Sequence, residues 1–275
     1  MRLSRLRSLD AALVAASIVV LTSGCGGGSE EPAKARAASS GPSTAAPALP
    51  ASAGPATSAP GSGAVSGRVV FEGVPPANPK YRMTADSYCA KSYPGEVTKE
   101  EVVVGKDRGL VNVFVWVKSG ISGSYPAPAA SVVLDQKGCL YRPHVFGIQV
   151  GQPLEIANSD DTLHNVHSIS DANDAFNLGM PRQGMKVTRR FDKPEVMVKI
   201  KCDVHGWMAS YAGVVPHPFF AVSGPDGAFA VKDLPPGAYT LEAWHEKLGT
   251  QTLQITVGEK ETKTVGFTFK SGAAG

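Results

Sequence analysis

The heptapeptide Cys202-Asp203-Val204-His205-Gly206-Trp207-Met208 follows a second histidine-bearing stretch, Leu163-His164-Asn165-Val166-His167. A thiolate, two imidazoles and a thioether form a soft donor set, the one copper favours when a single geometry must serve both Cu(I) and Cu(II). Such a set points to one-electron chemistry at a mononuclear centre. Side chains alternate along a strand, so Cys202 and His205 on a continuous strand would face opposite sides and could reach one metal only if the chain turns. Gly206 sits where that turn would use permissive dihedrals. The same parity separates His164 from His167: if both lie on a strand, one is a ligand and the other is not.

The chain has 275 residues, 43% apolar and 19% charged, which is globular composition with enough apolar material for one or two cores. With 27 basic and 24 acidic side chains, nothing suggests a nucleic-acid partner. Arg2, Arg5 and Arg7 precede an apolar run from Ala11 to Leu21. This has the form of a signal peptide and is too short for a comfortable membrane span. Leu21-Thr22-Ser23-Gly24-Cys25 resembles a bacterial lipobox, which implies that residues 1–24 are removed and that Cys25 carries a lipid. The alternative is ordinary cleavage nearby, with Cys25 a spare thiol. Residues 25–63 are mostly Ala, Pro, Ser and Gly and cannot build a core. As a random coil about forty such residues span roughly 35 Å. The expected location is the bacterial cell envelope, with a folded head tethered to a membrane and facing the periplasm or the exterior.

Beyond residue 64 the signals are those of strands. Val65 to Phe71, Val111 to Val117, Glu195 to Lys201 and Gln254 to Val257 are rich in β-branched and aromatic residues, several in alternation. Gly224-Pro225-Asp226-Gly227 and Pro235-Pro236-Gly237 are turn signals. No later segment reads as an amphipathic helix of three turns. The class predicted is all-β, built as sandwiches.

Residues 131–215 resemble a cupredoxin, the blue copper fold, most closely its amicyanin and plastocyanin members. The resemblance rests on Pro143 to Gly151, on Asn158-Ser159-Asp160, on His164-Asn165-Val166 and on the short C-x2-H-x2-M loop. It implies His164, Cys202, His205 and Met208 as ligands of one type 1 copper ion, with Asn165 bracing the site beside the thiolate. It also implies that His205 is the edge through which electrons enter and leave. The flanks, Val65 to Phe71 and Ala221 to Leu241, resemble the carboxypeptidase-regulatory-like, transthyretin-type sandwich, a fold similar to carbohydrate-binding modules. A first part over 64–130 and a remainder over 216–270 then bracket an inserted cupredoxin domain; two sandwiches in tandem are the alternative.

Cys89 and Cys139 remain once Cys25 and Cys202 are assigned, and in an exported protein they are expected to pair, two reduced buried thiols being the alternative. His144, His217 and His245 are expected to hydrogen-bond between the sandwiches, with a second metal site the less favoured use. Trp207 either carries electrons, shields the metal or packs. Met180 and Met185 either rim the site, receive Cu(I) or fill the core. A c-type haem would need Cys-x-x-Cys-His, which the sequence lacks, and a Met ligand argues against zinc. The His-x-His pairs of multicopper oxidases are also missing, as is any recognisable hydrolase motif. The reading is a non-enzymatic, lipid-anchored electron carrier with redox protein partners such as a cytochrome or a dehydrogenase. Copper storage or delivery, or a carbohydrate- or protein-binding surface module, are the alternatives.

Overall fold

The computed structural model describes residues 62–271; the signal segment, Cys25 and most of the linker lie outside them. The chain opens with β1 (Gly63–Glu72) and then forms a small lobe of β2 (Lys80–Arg82), the short helix α1 (Ser87–Ser92) and β3 (Glu96–Thr98). After β4 (Phe114–Ser119) come β5 (Val132–Gln136), β6 (Tyr141–Arg142), β7 (Val145–Gln149), β8 (Leu154–Asn158) and β9 (His164–Ile169). These are followed by β10 (Asn177–Met180), β11 (Lys186–Arg189), β12 (Glu195–Lys201) and β13 (Ala209–Val215). The last strands are β14 (Phe220–Val222), β15 (Ala228–Leu234), β16 (Gly237–His245), β17 (Gly249–Val257) and β18 (Thr262–Lys270).

The molecule is all-β, with two sandwiches. One pairs a sheet of order β15-β1-β18 with a sheet of order β14-β4-β16-β17. Alternation along its strands turns Val65, Val69 and Phe71 of β1, Phe229 and Val231 of β15, and Phe267 and Phe269 of β18 into a shared core with Leu241 and Val257. β1 is the middle strand of its sheet, antiparallel to β15 and parallel to β18 from Ala64↔Thr262 to Glu72↔Lys270. Strands from both sides of residues 131–215 therefore share both sheets. The second sandwich stacks β10-β9-β12-β13-β7 on β11-β8-β5-β6. Its core contains Leu134, Ile148, Leu154, Ile156, Val166, Phe191, Val198 and Ile200, and includes Cys202 and Met208.

The two sandwiches meet at Phe114, Val145 and Val215, with Trp116, Tyr211, Phe220 and Trp244 around them. Gly147 of β7 and Gly213 of β13 face each other in register. A Cβ on Gly213 would stand 2.4 Å from the Phe114 ring, and one on Gly147 would stand 2.3 Å from the ring of Phe220. These glycines leave the floor on which both rings rest. His144 bridges the same boundary, its Nε2 lying 2.5 Å from Glu246 Oε1. His217 and His245 are buried within the flanking sandwich, where His217 Nε2 donates to Val117 O at 2.9 Å and His245 Nδ1 accepts from the Lys247 amide at 3.1 Å.

Two local expectations need correcting: the start of one strand, and the place of His217 and His245, which bond within the flanking sandwich and not between the two. The strand predicted from Val111 begins only at Phe114, because Asn112 takes φ 62°, a left-handed bend that interrupts extension. Met180 takes the core-filling use among its alternatives: it ends β10 opposite His164, fully buried, and its sulfur accepts from Gln136 Nε2 at 3.0 Å. Met185 packs partly buried against the same core.

Candidate metal centre

Adjacent strands and one loop deliver the donor atoms. His164 is the first residue of β9, where the strand turns it into the sandwich end with 0% exposure. Its neighbour in the motif, His167, points the other way and pairs through Nδ1 with Asp203 Oδ2 at 2.9 Å. Cys202 follows the last residue of β12, and the chain then folds back so that Met208 immediately precedes β13. The loop is closed by its own backbone: Met208 N donates to His205 O at 2.9 Å, Cys202 N to Met208 O at 3.4 Å, and His205 N to Cys202 Sγ at 3.3 Å. Gly206 has no left-handed φ and nothing within 4 Å of an added Cβ, so this turn, unlike the expectation, makes no use of glycine's freedom.

His164, Cys202 and His205 each offer a ligand atom, and these atoms lie within 4.8 Å of one another. The Nδ1 atoms of the two rings are 3.0 Å apart, and Cys202 Sγ is 3.9 Å from His205 Nδ1. Both rings thus turn Nδ1 toward the thiol and Nε2 away from it. Met208, 1% exposed, lies on the same loop. Donors on one ion at about 2.0–2.3 Å stand only a few ångströms apart, so a buried thiolate with two converging imidazole nitrogens fits a thiophilic transition metal.

Asn165 ties the loop to its neighbours. Its Oδ1 accepts from the Asp203 amide at 3.0 Å, its Nδ2 donates to Asn177 Oδ1 and Leu178 O, and its carbonyl accepts from the Tyr141 hydroxyl at 2.5 Å. Burial by itself would push the Cys202 thiol up. Hydrogen bonds from His164 and His205, with backbone support from His205 and Asn165, outweigh burial and bring its pKa down to about 6. Burial likewise opposes charge on His164, yet its bonds to Asp160 and Cys202 raise its pKa to about 9.

Asp160, quoted from the sequence only within the string Asn158-Ser159-Asp160, was not expected to contact His164, which it does. Gly138 and Cys139 both adopt left-handed φ, 62° and 56°, and their successive amides converge on its carboxylate at 2.8 and 2.7 Å. The same carboxylate accepts from His164 Nε2 at 2.9 Å, fixing that ring with Nδ1 toward the thiol. Burial pushes Asp160 up, and the His164 and backbone bonds hold it below the usual carboxylate range. Its position four residues before His164 is the signal by which it could have been found.

The lobe was also missed. Cys89 of α1 forms a disulfide with Cys139, Cα atoms 5.7 Å apart, and with Met83 makes a small core against Tyr81, Tyr93 and Trp207. This core covers the site. The His205 ring, which the resemblance makes an exposed edge, is 1% exposed, because Asp86 Oδ2 and Cys89 Sγ stand 3.6 and 3.9 Å from its Nε2. Trp207 lies beside it, ring centroids 4.9 Å apart, and stacks in turn on Tyr81 at 5.9 Å. The Trp207 indole donates to Cys139 O at 3.0 Å. Trp207 and Tyr81 line a cleft of about 580 Å³ shared with Arg142, Lys201 and Met208.

No protein-family model matches the chain, and no curated protein matches it. Among solved structures it is similar to a copper-containing nitrite reductase from Thermus scotoductus SA-01, at 23% identity over 36% of this chain and 25% of that one, with a TM-score of 0.29. It is also similar to a purple cupredoxin from Nitrosopumilus maritimus, at 22% identity over 31% of this chain and 98% of that one, TM-score 0.27. An oxidized amicyanin variant matches at 18% identity over 36% and 97%, TM-score 0.29. The chain thus spans a quarter of the nitrite reductase it matches. The fold and the site stand on the strand pairing and donor atoms described above.

Proposed function

We propose that this protein is a one-electron carrier of the cupredoxin kind, holding one copper ion through His164, Cys202, His205 and Met208. The single observation that carries the reading is the buried convergence of the Cys202 sulfur with the Nδ1 atoms of two histidines. Bound copper supplies a Cu(I)/Cu(II) couple, and a thiolate–imidazole–thioether set suits both states without rearrangement. The chain's own part is to hold the donors still. Asp160 orients His164, Asn165 pins the Cys202 loop, and the lobe keeps water from His205. With that imidazole covered, the exchange face is assigned to the cleft where Trp207 and Tyr81 emerge.

The flanking sandwich, of the carboxypeptidase-regulatory-like kind, serves as a mount. Cys25 carries a lipid, and residues 25–63 tether the head to a bacterial envelope membrane within reach of a cytochrome or dehydrogenase. A sealed site supports carriage over delivery, since rapid metal exchange needs access. The deciding experiment is the visible spectrum of the copper(II)-loaded protein beside Cys202→Ser. The expected result is a strong thiolate-to-copper band that ascorbate bleaches and the variant lacks; bound copper without such a band overturns the proposal.

A further inference from the structure

The His205 ring has a second cluster of donor atoms behind it. A carboxylate oxygen of Asp86, the sulfur of Cys89 and Nε2 of His205 all lie within 4.8 Å of one another. Oδ2 of Asp86 is 3.6 Å and Sγ of Cys89 3.9 Å from that nitrogen. Ligands of one tetrahedral ion, bound at about 2.0–2.3 Å, stand roughly 3.3–3.8 Å apart. These atoms are therefore close to ligand spacing already. Among the described residues the hydrogen-bond partner of His205 Nε2 is the Cys89 sulfur alone, a poor acceptor for a ring that is 1% exposed.

Cys89 is joined to Cys139, and contacts other than the disulfide also hold it in place. Its amide donates to Asp86 Oδ1 at 2.9 Å, the bond that caps α1, and Thr162 Oγ1 holds Asp86 Oδ2 at 2.7 Å. The lobe is kept in place further by the Tyr81–Trp207 stack, by the Trp207 indole on Cys139 O, and by Arg142 on Glu100 at 2.8 Å. Cleaving the sulfur–sulfur bond leaves these contacts standing. Cys139, Asp160 and His164 form a companion cluster. That one is the weaker candidate, because its imidazole nitrogen, His164 Nε2, already has a carboxylate partner at 2.9 Å, whereas His205 Nε2 faces the Cys89 sulfur at 3.9 Å.

We propose that reduction of the Cys89–Cys139 disulfide opens a second metal site, in which Asp86, Cys89 and His205 bind a thiophilic ion such as copper(I) or zinc(II). A dithiol reductant gives two electrons and two protons to the sulfur–sulfur bond, becomes a disulfide itself, and leaves Cys89 and Cys139 as thiols. The incoming ion displaces the Cys89 thiol proton to solvent, and the Nε2 proton as well when Nδ1 of the same ring is already coordinated. The two centres then share His205, one on each ring nitrogen. This inference holds whatever the spectrum of the first centre.

The test uses the full chain in a Cys202→Ser background, which removes the thiolate of the first centre. Adding Cys139→Ser leaves Cys89 as a thiol; adding Cys89→Ser leaves Cys139. Both double variants lack the disulfide, so any loosening of the lobe is common to them, and Cys25 is the same in both. Cobalt(II) is titrated into each without air. The expected result is one cobalt per chain, with a thiolate-to-cobalt band, in Cys202→Ser/Cys139→Ser, at least about tenfold tighter than in Cys202→Ser/Cys89→Ser. Equal binding by the two, or a thiolate band in neither, overturns the proposal. Should circular dichroism show either double variant unfolded, Cys202→Ser alone decides: the band must appear only after a phosphine reductant is added, and its absence then also overturns the proposal. The blue band of the oxidised, unmutated protein is a separate measurement, so either reading can fail without the other.

Discussion

Asp160 puts two oxygens to three uses, accepting from the Gly138 and Cys139 amides and from the His164 ring. An asparagine there would turn an N–H2 group toward at least one of those donors and leave it unpaired in a buried site. Asp160→Asn is therefore expected to lower metal affinity by about 10–100-fold, read by competition with a chelator, while the circular dichroism of the fold is kept. Glu195 shows the same economy away from the site. Burial disfavours its charge, but Ser170, Asn173 and the amides of Asp171 and Ala172 all donate to it and bring its pKa down to about 2. The folded state thus favours the ionised carboxylate. This stability is complete above the ordinary glutamate value of 4.5 and is lost as pH falls through about 2. Glu195→Gln is expected to cost on the order of 1–2 kcal/mol near neutral pH and to flatten the acid limb. Urea unfolding at neutral pH and at about pH 3 measures both effects. At this scale the sequence was legible where chemistry is contiguous: the Cys202 loop carries three donor types within seven residues, and strand parity separates His164 from His167. Asp160, Asp86 and Cys89 were not legible as partners of the site. Each reaches it through folding, and only Asp160, four residues before His164, has a spacing that points to the contact.

At the scale of elements, alternation made most strands readable, and the burial patterns of β1 and β15 follow it closely. What alternation cannot carry is which strands from distant segments touch. Nothing in the alternation marks Gly147 and Gly213 as the places on which Phe220 and Phe114 rest. Their smoothness lets an edge of one sandwich approach the face of the other. Gly213→Ala is expected to force the Phe114 ring aside and to destabilise the protein by about 1–3 kcal/mol, seen as a lowered midpoint in thermal or denaturant unfolding. An unchanged midpoint would mean that the ring moves freely. The late start of β4 has a similar origin, since one left-handed residue, Asn112, outweighs the β-propensity of its neighbours. The lobe of β2, α1 and β3 escaped for a different reason: its elements are too short to leave a period, and its core is a disulfide with a few aromatic side chains. Its burial of His205 is the largest departure from what the resemblance implied.

Across the whole molecule, the parallel pairing of β1 with β18 joins the first and last strands of the described residues. Ending the chain after Gly258 would remove Phe267 and Phe269 from the flanking core and leave β1 with β15 as its sheet neighbour. Such a truncation is expected to make residues 63–72 protease-sensitive while residues 132–215 stay protected, as mass spectrometry of a limited digest would show. Equal resistance of both regions would count against a flanking sandwich that depends on its last strand. The strand pairing also sets a schedule. A chain made from its N-terminus presents β1 long before β18 exists, whereas all nine strands of the second sandwich arrive in one uninterrupted run. The second sandwich can thus form while the flanking one remains unfinished, and β18 acts as the clasp that closes it.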